Sequence, residues 1–374
     1  MADLLNPDVA WALDDLRGRL PAIERNMDYY HGRHLISIPD GATHNAFMAE
    51  LLRRLRDNMC DDVVDEPVSR LGIAAWSAAG DQANDGKPEP PDGPDGGPNA
   101  PDPASSLAAA AQALWDANRG PARERRTYTD QAAAGDGWNI VEKRADGTVG
   151  WAPQDPRHMG CRYSPDRPDT IEVAYKCWPE GGRWRLNLYY HPDYAPEPRR
   201  LLERYATKGK SPDGGLPQAR SFLPFVPAND DPTVEPDLGY RDWTRCPVFH
   251  FPADNVGGYG TSVLADVTPL QDLLNKSLSD LATNMEDVAL PTRWAVGVQP
   301  RIDPVTGEQM PMSRRPRRAS DMLTVSASGP EGVQFGQFDA ADLTPALAMI
   351  DGLRVEIARK GYLPPWSVPS VVTG

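Results

Sequence analysis

The sequence predicts an α+β fold in which a mixed helical and β-rich region is followed by a long helix, a small module and a second helix. Three patterns support this prediction. Apolar residues recur at helical spacing near the N-terminus and again in residues 262–290. Between them, short β-rich runs are separated by the turn pairs Asp146-Gly147 and Gly181-Gly182. Helical spacing then returns from Leu343 to Ile357, with Thr344 and Pro345 as the expected cap and first position and Gly361 as the expected stop.

The composition indicates a folded, acidic protein. Its 374 residues are 40% hydrophobic, which is enough for two or three compact regions. A formal net charge of -14 argues against a broad basic surface that wraps nucleic acid. The four cysteines form no CxxC pair, which favours reduced thiols in a cytoplasmic protein over a zinc site or a disulfide framework. The sequence shows neither a membrane-spanning run nor a signal peptide, so we expect no membrane contact.

The N-terminal region is predicted to be helical. A first helix runs from Val9 to Tyr30, with Asn6-Pro7 at its start and Gly32 as its stop. A second helical segment is expected around Ala46–Met59. In Asp62–Leu71, an interior proline should divide two short pieces.

Residues 81–104 differ sharply in composition from their surroundings. They consist mostly of Pro, Gly, Asp, Asn and Ala, which predicts a flexible acidic surface insertion. After this insertion, Ser105 or Ser106 is expected to cap a helix that reaches Asn118.

The middle of the chain is predicted to form an antiparallel sheet. Its expected strands are Trp138–Lys143, Val149–Trp151, Ile171–Trp178, Arg183–Tyr190 and Cys246–Phe251. Residues 1–255 should therefore form one mixed α+β region.

A glycine-rich turn, Gly257–Ser262, comes directly before the long helical run. It lacks the lysine and the spacing of a phosphate-binding loop, which argues against nucleotide binding. We expect Gly258 and Gly260 to permit a tight turn and Ser262 to cap the helix.

The helical run contains two apolar rows that suit packing against other helices. These rows comprise Val267, Leu270, Leu274, Leu278, Leu281, Met285 and Val288. Thr268–Gln271 has the pattern of a capping box, so the regular helix should begin at Pro269. It would end before Pro291 and measure roughly 30 Å. A short strand is expected at Arg293–Gly297.

The sequence offers no strong catalytic, cofactor or metal motif. Gly32 separates His31 from His34, so a helix would not hold both on one face, and a structural or solvated role is expected. No pattern places a nucleophile, a base and an oxyanion site together. The densest positive charge is the arginine group formed by Arg314, Arg315, Arg317 and Arg318, which predicts either a solvated loop or contact with an acidic partner or with phosphates.

Taken together, these landmarks resemble the portal proteins of long-tailed bacteriophages, especially those that infect actinobacteria. The resemblance extends over nearly the whole chain. It rests on Tyr29–His34, on Val64–Leu71 with Leu114–Asn118, on Pro247–Phe251 with Gly260–Ser262, and on Leu270–Lys276 with Pro291–Trp294.

The resemblance implies a non-enzymatic subunit of a ring, usually of twelve copies, at one capsid vertex of the virion, assembled in the cytoplasm of the bacterial host. Its implied partners are the terminase large subunit, a head-tail adaptor and the major capsid or scaffolding protein. Double-stranded DNA would pass through the channel without sequence-specific binding. By position, residues 1–255 correspond to a wing, 256–290 to a first stem helix, 291–338 to a clip, 339–360 to a second stem helix and 361–374 to the start of a tunnel loop.

The same resemblance assigns candidate site residues. The four clip arginines would meet the terminase or the adaptor. The DNA-facing tunnel loop would include Lys360, Tyr362, Pro364, Pro365 and Trp366. Family members continue into a further helix and a crown, so we expect the crown to be absent from a sequence that ends at Gly374.

Two alternative functions remain open from the sequence. One is a capsid-associated adaptor or minor head protein. The other is a soluble hydrolase or transferase with an unrecognised site in the β-rich middle.

Overall fold

The computed structural model divides the chain into two compact units. The first comprises residues 1–31 and 62–265, and the second comprises residues 32–61 and 266–374. The structure describes residues 6–34, 54, 56–74, 76, 103–144, 147–196, 201–208, 215–225, 243–255, 257–289, 293–296, 305, 322–325, 334–337 and 342–364. The mixture of helices with largely antiparallel sheets confirms the α+β class.

Helix α1 (Pro7–Tyr30) opens the first unit, as predicted. The Asn6 side chain caps it by accepting a hydrogen bond from the Asp8 N–H at 2.9 Å. Its apolar face packs into the core formed with the larger sheet. The chain leaves the helix through Gly32, whose φ of 68° lies in the left-handed region that glycine favours.

Three predictions about the next helices are wrong. Helix α2 (Cys60–Val68) is one continuous element that contains Pro67 in its last turn, where the proline ends the helix and does not divide it. Residues 56–59 were predicted to be helical but are not, and most of the remaining segment 46–55 lies outside the described residues.

Helix α3 (Pro103–Ala117) begins before Ser105 and Ser106, so neither serine is its N-cap. The predicted insertion lies outside the described residues except where α3 begins.

Helix α4 (Gly120–Ala134) had no apolar pattern that could reveal it. Its buried positions include the polar residues Glu124, Thr127 and Asp130. A helix that buries polar groups has no hydrophobic periodicity, so the sequence gives no signal for it.

The larger sheet of this unit has five antiparallel strands in the order β3-β4-β5-β6-β7. They are β3 (Met159–Tyr163), β4 (Ile171–Glu180), β5 (Arg183–Tyr190), β6 (Leu202–Thr207) and β7 (Phe222–Pro224). Successive residues of β4 enter different cores: Val173 and Tyr175 join the core that includes α1, and Ala174 joins the opposite one. Both faces of the sheet are therefore covered.

The second core joins the larger sheet to a smaller antiparallel sheet of order β2-β1-β8. Its strands are β1 (Asp136–Lys143), β2 (Val149–Gln154) and β8 (Val248–Pro252). The five predicted strands are confirmed, but they belong to two sheets instead of one, and β3, β6 and β7 were not predicted. The alternation of side chains does not tell which strands share a sheet.

The second unit contains two helices packed against each other, α5 (Thr268–Ala289) and α6 (Thr344–Lys360). The regular part of α5 begins one residue before the predicted Pro269. The cap of α6 is Leu343 and not the predicted Thr344, whose N–H instead donates to Asp342 Oδ1 at 2.9 Å. Gly361 ends α6 as predicted, although the left-handed residue is the following Tyr362, with a φ of 54°.

A small three-stranded sheet lies between these helices in sequence. It comprises β9 (Arg293–Val296), β10 (Met322–Val325) and β11 (Gln334–Gln337), with β9 in the centre. Strand β9 pairs with β10 in parallel and with β11 antiparallel. The predicted short strand at Arg293 is thus the middle of a mixed sheet.

Candidate functional site

The glycine turn of the first unit packs against the end of α4, through Ala132 and Ala133, and against Ala253, which follows β8. Its close packing depends on Gly260, where an added Cβ would lie 2.2 Å from the Gly135 carbonyl oxygen and 2.3 Å from the Ala253 nitrogen. Both neighbours are backbone atoms that cannot rotate away. Glycine is therefore required for close approach, as the sequence suggested.

The polar groups of the turn bind other parts of the protein. The Gly260 N–H donates to Asp136 Oδ1 at 2.8 Å, and the Val263 N–H donates to the Ala132 carbonyl oxygen at 3.1 Å. The Ser262 hydroxyl donates to the Ala133 carbonyl oxygen at 2.6 Å and accepts from the Leu264 N–H at 3.1 Å. Ser262 therefore caps the turn that precedes α5. The prediction that Ser262 caps the regular helix is wrong, because α5 begins at Thr268.

A half-buried polar cluster lies beside this turn and connects it to α1. The Asp15 carboxylate accepts hydrogen bonds from Arg19 Nε at 3.1 Å, from the Tyr175 hydroxyl at 2.6 Å and from the Tyr259 hydroxyl at 2.8 Å. The Arg19 guanidinium lies 3.7 Å from the centre of the Tyr259 ring and donates to the Met159 carbonyl oxygen at 2.6 Å. Because the charged groups are bonded to one another, this cluster ties α1, the larger sheet and the glycine turn together.

Asp136 extends the cluster to a buried histidine. His250 Nε2 lies 2.8 Å from Asp136 Oδ1, and its ring stacks on Trp138 with centroids 3.9 Å apart. Burial lowers the pKa of His250, although the neighbouring Asp136 carboxylate opposes this effect. The imidazole is therefore neutral at pH 7 and acts as a packed, hydrogen-bonded core group.

Cys161 lies close enough to suggest a cysteine–histidine–aspartate arrangement, but its chemistry does not fit one. Its Sγ atom is 3.7 Å from His250 Nδ1. Burial raises the pKa of the thiol far above its ordinary value, so the nucleophilic thiolate does not form at neutral pH. All four cysteines are buried free thiols.

In the second unit, the buried row of α5 is partly polar. Val267 and Leu274 are fully buried, Leu270, Leu278 and Leu281 are half-buried, and Met285 is exposed, while the side chain of Val288 lies outside the described residues. Gln271, Asn275 and Ser279 share the buried face. The hydrophobic periodicity of the sequence does not reveal these three positions, because their side chains are polar.

These polar side chains hold residues 57–59 against α5. Gln271 Oε1 accepts from the Met59 N–H at 3.0 Å, and its Nε2 donates to the Asp57 carbonyl oxygen at 2.5 Å. Asn275 Oδ1 accepts from the Asp57 N–H at 3.0 Å, and its Nδ2 lies 2.8 Å from His34 Nδ1. From α6, Arg354 Nε donates to Asp57 Oδ2 at 2.9 Å. The two helices and this segment therefore form one hydrogen-bonded body.

The other predicted site residues are only partly described. Lys360 is exposed at the end of α6, Pro364 is half-buried, and the Tyr362 side chain is 91% exposed. Pro365, Trp366 and the four clip arginines lie outside the described residues. Where the chain is described, no cluster of side chains suits a metal ion, and every helix is too short or too polar to cross a bilayer.

Comparison with known protein families gives a match over most of the chain. A family model described as "Phage portal protein, SPP1 Gp6-like" matches residues 10–351. A search of curated proteins found no match.

Proposed function

The chain belongs to the phage portal protein family, and we propose that its copies form a ring of twelve subunits through which DNA is packaged and ejected. The family match over residues 10–351 is the observation that carries this proposal. The family implies an oligomeric ring and a place at the capsid vertex of the virion. The number of subunits, assembly in the host cytoplasm and the DNA channel belong to the proposal.

Exposed apolar residues on the two long helices support ring formation. Leu273 and Met285 on α5, and Leu347, Met349 and Val355 on α6, are each at least 40% exposed. Since exposed apolar rows on packed helices favour a protein partner, we assign them to contacts with neighbouring subunits. In a closed ring, one face of each subunit meets a different face of the next.

The charge of the protein fits a channel through which DNA moves. A formal net charge of -14 on each subunit limits attraction between the ring and DNA phosphates. Weak attraction reduces the resistance that a packaging motor must overcome. We propose that the loop after α6 faces the DNA, and the exposure of Tyr362 supports this assignment.

The other proposed partners, the terminase and the head-tail adaptor, would contact the segment between strands β9 and β10 of the second unit. We propose that Arg314, Arg315, Arg317 and Arg318 form the contact with the terminase large subunit and later with the head-tail adaptor. Guanidinium groups bind carboxylates and phosphates through paired hydrogen bonds, which supports this proposal. Replacing all four with alanine should abolish terminase or adaptor capture while ring formation persists, and unchanged capture would contradict it.

Electron microscopy of the full chain tests the main proposal. We expect closed rings with a central opening, whose number of subunits native mass spectrometry would give. A Leu347→Glu, Val355→Glu variant should remain folded by circular dichroism but lose the rings. A wild-type protein that stays monomeric under assembly conditions would contradict the proposal, and one found at the vertex without forming a ring would indicate an adaptor.

A further inference from the structure

Three arginines gather where α3 gives way to α4 in the first unit. Arg119 lies just before the first residue of α4, Arg123 lies in its first turns, and Arg144 follows β1. Both Arg119 and Arg144 are exposed and Arg123 is half-buried. Such a concentration of positive charge is unusual in a chain with a formal net charge of -14.

A buried asparagine organises this cluster. Asn118 is only 1% exposed, and its Oδ1 accepts from Arg123 Nη1 at 3.1 Å, from the Trp151 N–H at 3.2 Å and, at 3.5 Å, from Arg144 Nη2. Its Nδ2 donates to the carbonyl oxygens of Leu114 and Val149 at 2.9 and 3.0 Å. The amide thus binds α3 to β2 and orients two guanidinium groups at once.

Close packing fixes the surroundings of these arginines. An added Cβ on Gly120 would lie 2.1 Å from the Trp115 ring, and one on Gly150 would lie 3.0 Å from Arg144 Nε. The Trp115 ring stacks on Trp151 with centroids 4.9 Å apart. The arginines are therefore arranged on a rigid, closely packed support.

The positive charges of these three residues are not neutralised within the described structure. Arg126, one turn further along α4, pairs with Asp130 at 2.6 Å. By contrast, no described carboxylate lies within ion-pair distance of Arg119, Arg123 or Arg144. Burial lowers the pKa of Arg123, and the charges of Arg144 and Arg119 lower it further. An anion bound among them would relieve this repulsion.

Arg119 and Arg123 line a cleft that could receive such an anion. The cleft has a volume of about 460 Å³ and is bounded by Arg119, Ala122, Arg123, Arg126, Pro153, Gln154 and Asp155. Its one carboxylate, on Asp155, is paired with Arg157 at 2.5 Å. Neutralisation by Arg157 leaves the rim of the cleft positively charged.

We propose that this arginine cleft binds the phosphate backbone of double-stranded DNA. Arg119 and Arg123, which line the cleft and have no described carboxylate partner, are four residues apart and so lie roughly 6 Å apart along α4. Duplex DNA presents about one negative charge per 1.7 Å of its axis, so a span of this length faces several phosphates. Guanidinium groups bind phosphate oxygens in pairs without reading sequence. This inference goes beyond the proposed function, because it assigns a DNA contact to the first unit in addition to the one proposed for the tunnel loop.

The experiment measures binding of the full chain to a fluorescent duplex of about 20 base pairs by anisotropy, between roughly 50 and 200 mM salt. Replacing Arg119, Arg123 and Arg144 with glutamine should weaken binding at least about tenfold. It should also reduce the slope of log K against log salt concentration by about 2 to 3. A matched variant replaces Arg167, Arg183 and Arg220, exposed arginines of the same unit, and should weaken binding less than about twofold. Equal losses in the two variants, or no binding by the wild type at low salt, would overturn the proposal.

Two further measurements test whether the charge of the cleft causes binding and whether its ligand is DNA. The corresponding triple lysine variant should retain most of the affinity, since it keeps the charge, and the glutamine variant should keep its melting temperature and its rings. If the lysine variant binds as weakly as the glutamine variant, charge is not the cause and the proposal fails. If polyglutamate displaces the duplex at equal charge concentration, the cleft serves an acidic protein and not DNA. Ring formation is measured separately by electron microscopy. A cleft that does not bind DNA would therefore not contradict the proposed function.

Discussion

The Tyr259 hydroxyl lies 2.8 Å from Asp15 Oδ2 and so joins the glycine turn to helix α1 across 244 residues of sequence. The same hydroxyl lies 2.9 Å from the Cys161 carbonyl oxygen and accepts from the Cys161 N–H at 3.0 Å. One phenol group thus satisfies backbone and carboxylate partners in two other elements. The turn is held in place by this contact as well as by its own backbone.

Replacing Tyr259 with phenylalanine should lower the free energy of unfolding by about 1–3 kcal/mol, because buried polar partners lose their hydrogen bonds. Urea unfolding would measure the loss. Tyr194→Phe, which alters a more exposed tyrosine bonded to Ser164, should cost less than about 1 kcal/mol. If the two substitutions lower the free energy of unfolding equally, the polar cluster beside the glycine turn does not stabilise the turn.

Replacing Gly260 with alanine should destabilise the protein by more than about 3 kcal/mol or prevent folding, since the new Cβ would overlap two backbone groups. Thermal unfolding of soluble protein, or its yield where it does not fold, provides the measurement. Gly18→Ala in α1 is the control, because an added Cβ there meets no atom within 4 Å and alanine favours the helix. The control should be stabilised by about 0.5–1 kcal/mol.

Replacing Gln271 with leucine should cost about 2–4 kcal/mol, because it leaves the Met59 N–H and the Asp57 carbonyl oxygen unpaired. The sequence pattern alone would suggest the opposite, since leucine extends the apolar seam of α5. Chemical unfolding distinguishes the two expectations. Lys276→Gln, at an exposed position on the same helix, should change stability by less than about 1 kcal/mol.

Asp130 should make stability depend on pH. Burial raises the pKa of its carboxyl from 3.8 to about 6, against the opposing effect of Arg126. Because the folded state holds the proton more tightly than the unfolded state, stability from this group is present below about pH 4 and is lost as the pH rises through about 6. Asp130→Asn cannot ionise, so it should gain up to about 3 kcal/mol relative to the wild type between these pH values. Unfolding curves across this range measure the difference in stability between the variant and the wild type. The control, Asp166→Asn at an exposed position, should have almost the same stability as the wild type.

The sequence predicted those elements whose apolar residues follow a regular period. Helix α1 showed its cap and its buried stripe, and β4 and β5 showed β-rich runs joined by the Gly181-Gly182 turn. Helix α4 remained hidden because Thr127 and Asp130 occupy its buried positions, and α2 was divided wrongly because Pro67 is tolerated at its C-terminal end.

In the candidate site too, local patterns were predictable from the sequence and contacts between distant residues were not. The need for glycine at Gly260 was readable from the turn pattern, whereas its partner Asp136 was not, because a hydrogen bond over 124 residues leaves no local trace. Likewise, the arginine group at residues 314–318 stood out as a charge run. The cleft at Arg123 did not, because Arg144 reaches it only when the chain folds back beside Asn118.

By itself, the sequence determined the α+β class, the long helix after a glycine turn and the landmarks that resemble a portal protein, since each depends on residues close together in the chain. Tertiary structure alone decided which strands share a sheet, which polar residues are buried on α5 and which charges meet. Those outcomes depend on contacts between distant residues, where burial makes each unpaired polar group costly and so selects its partner.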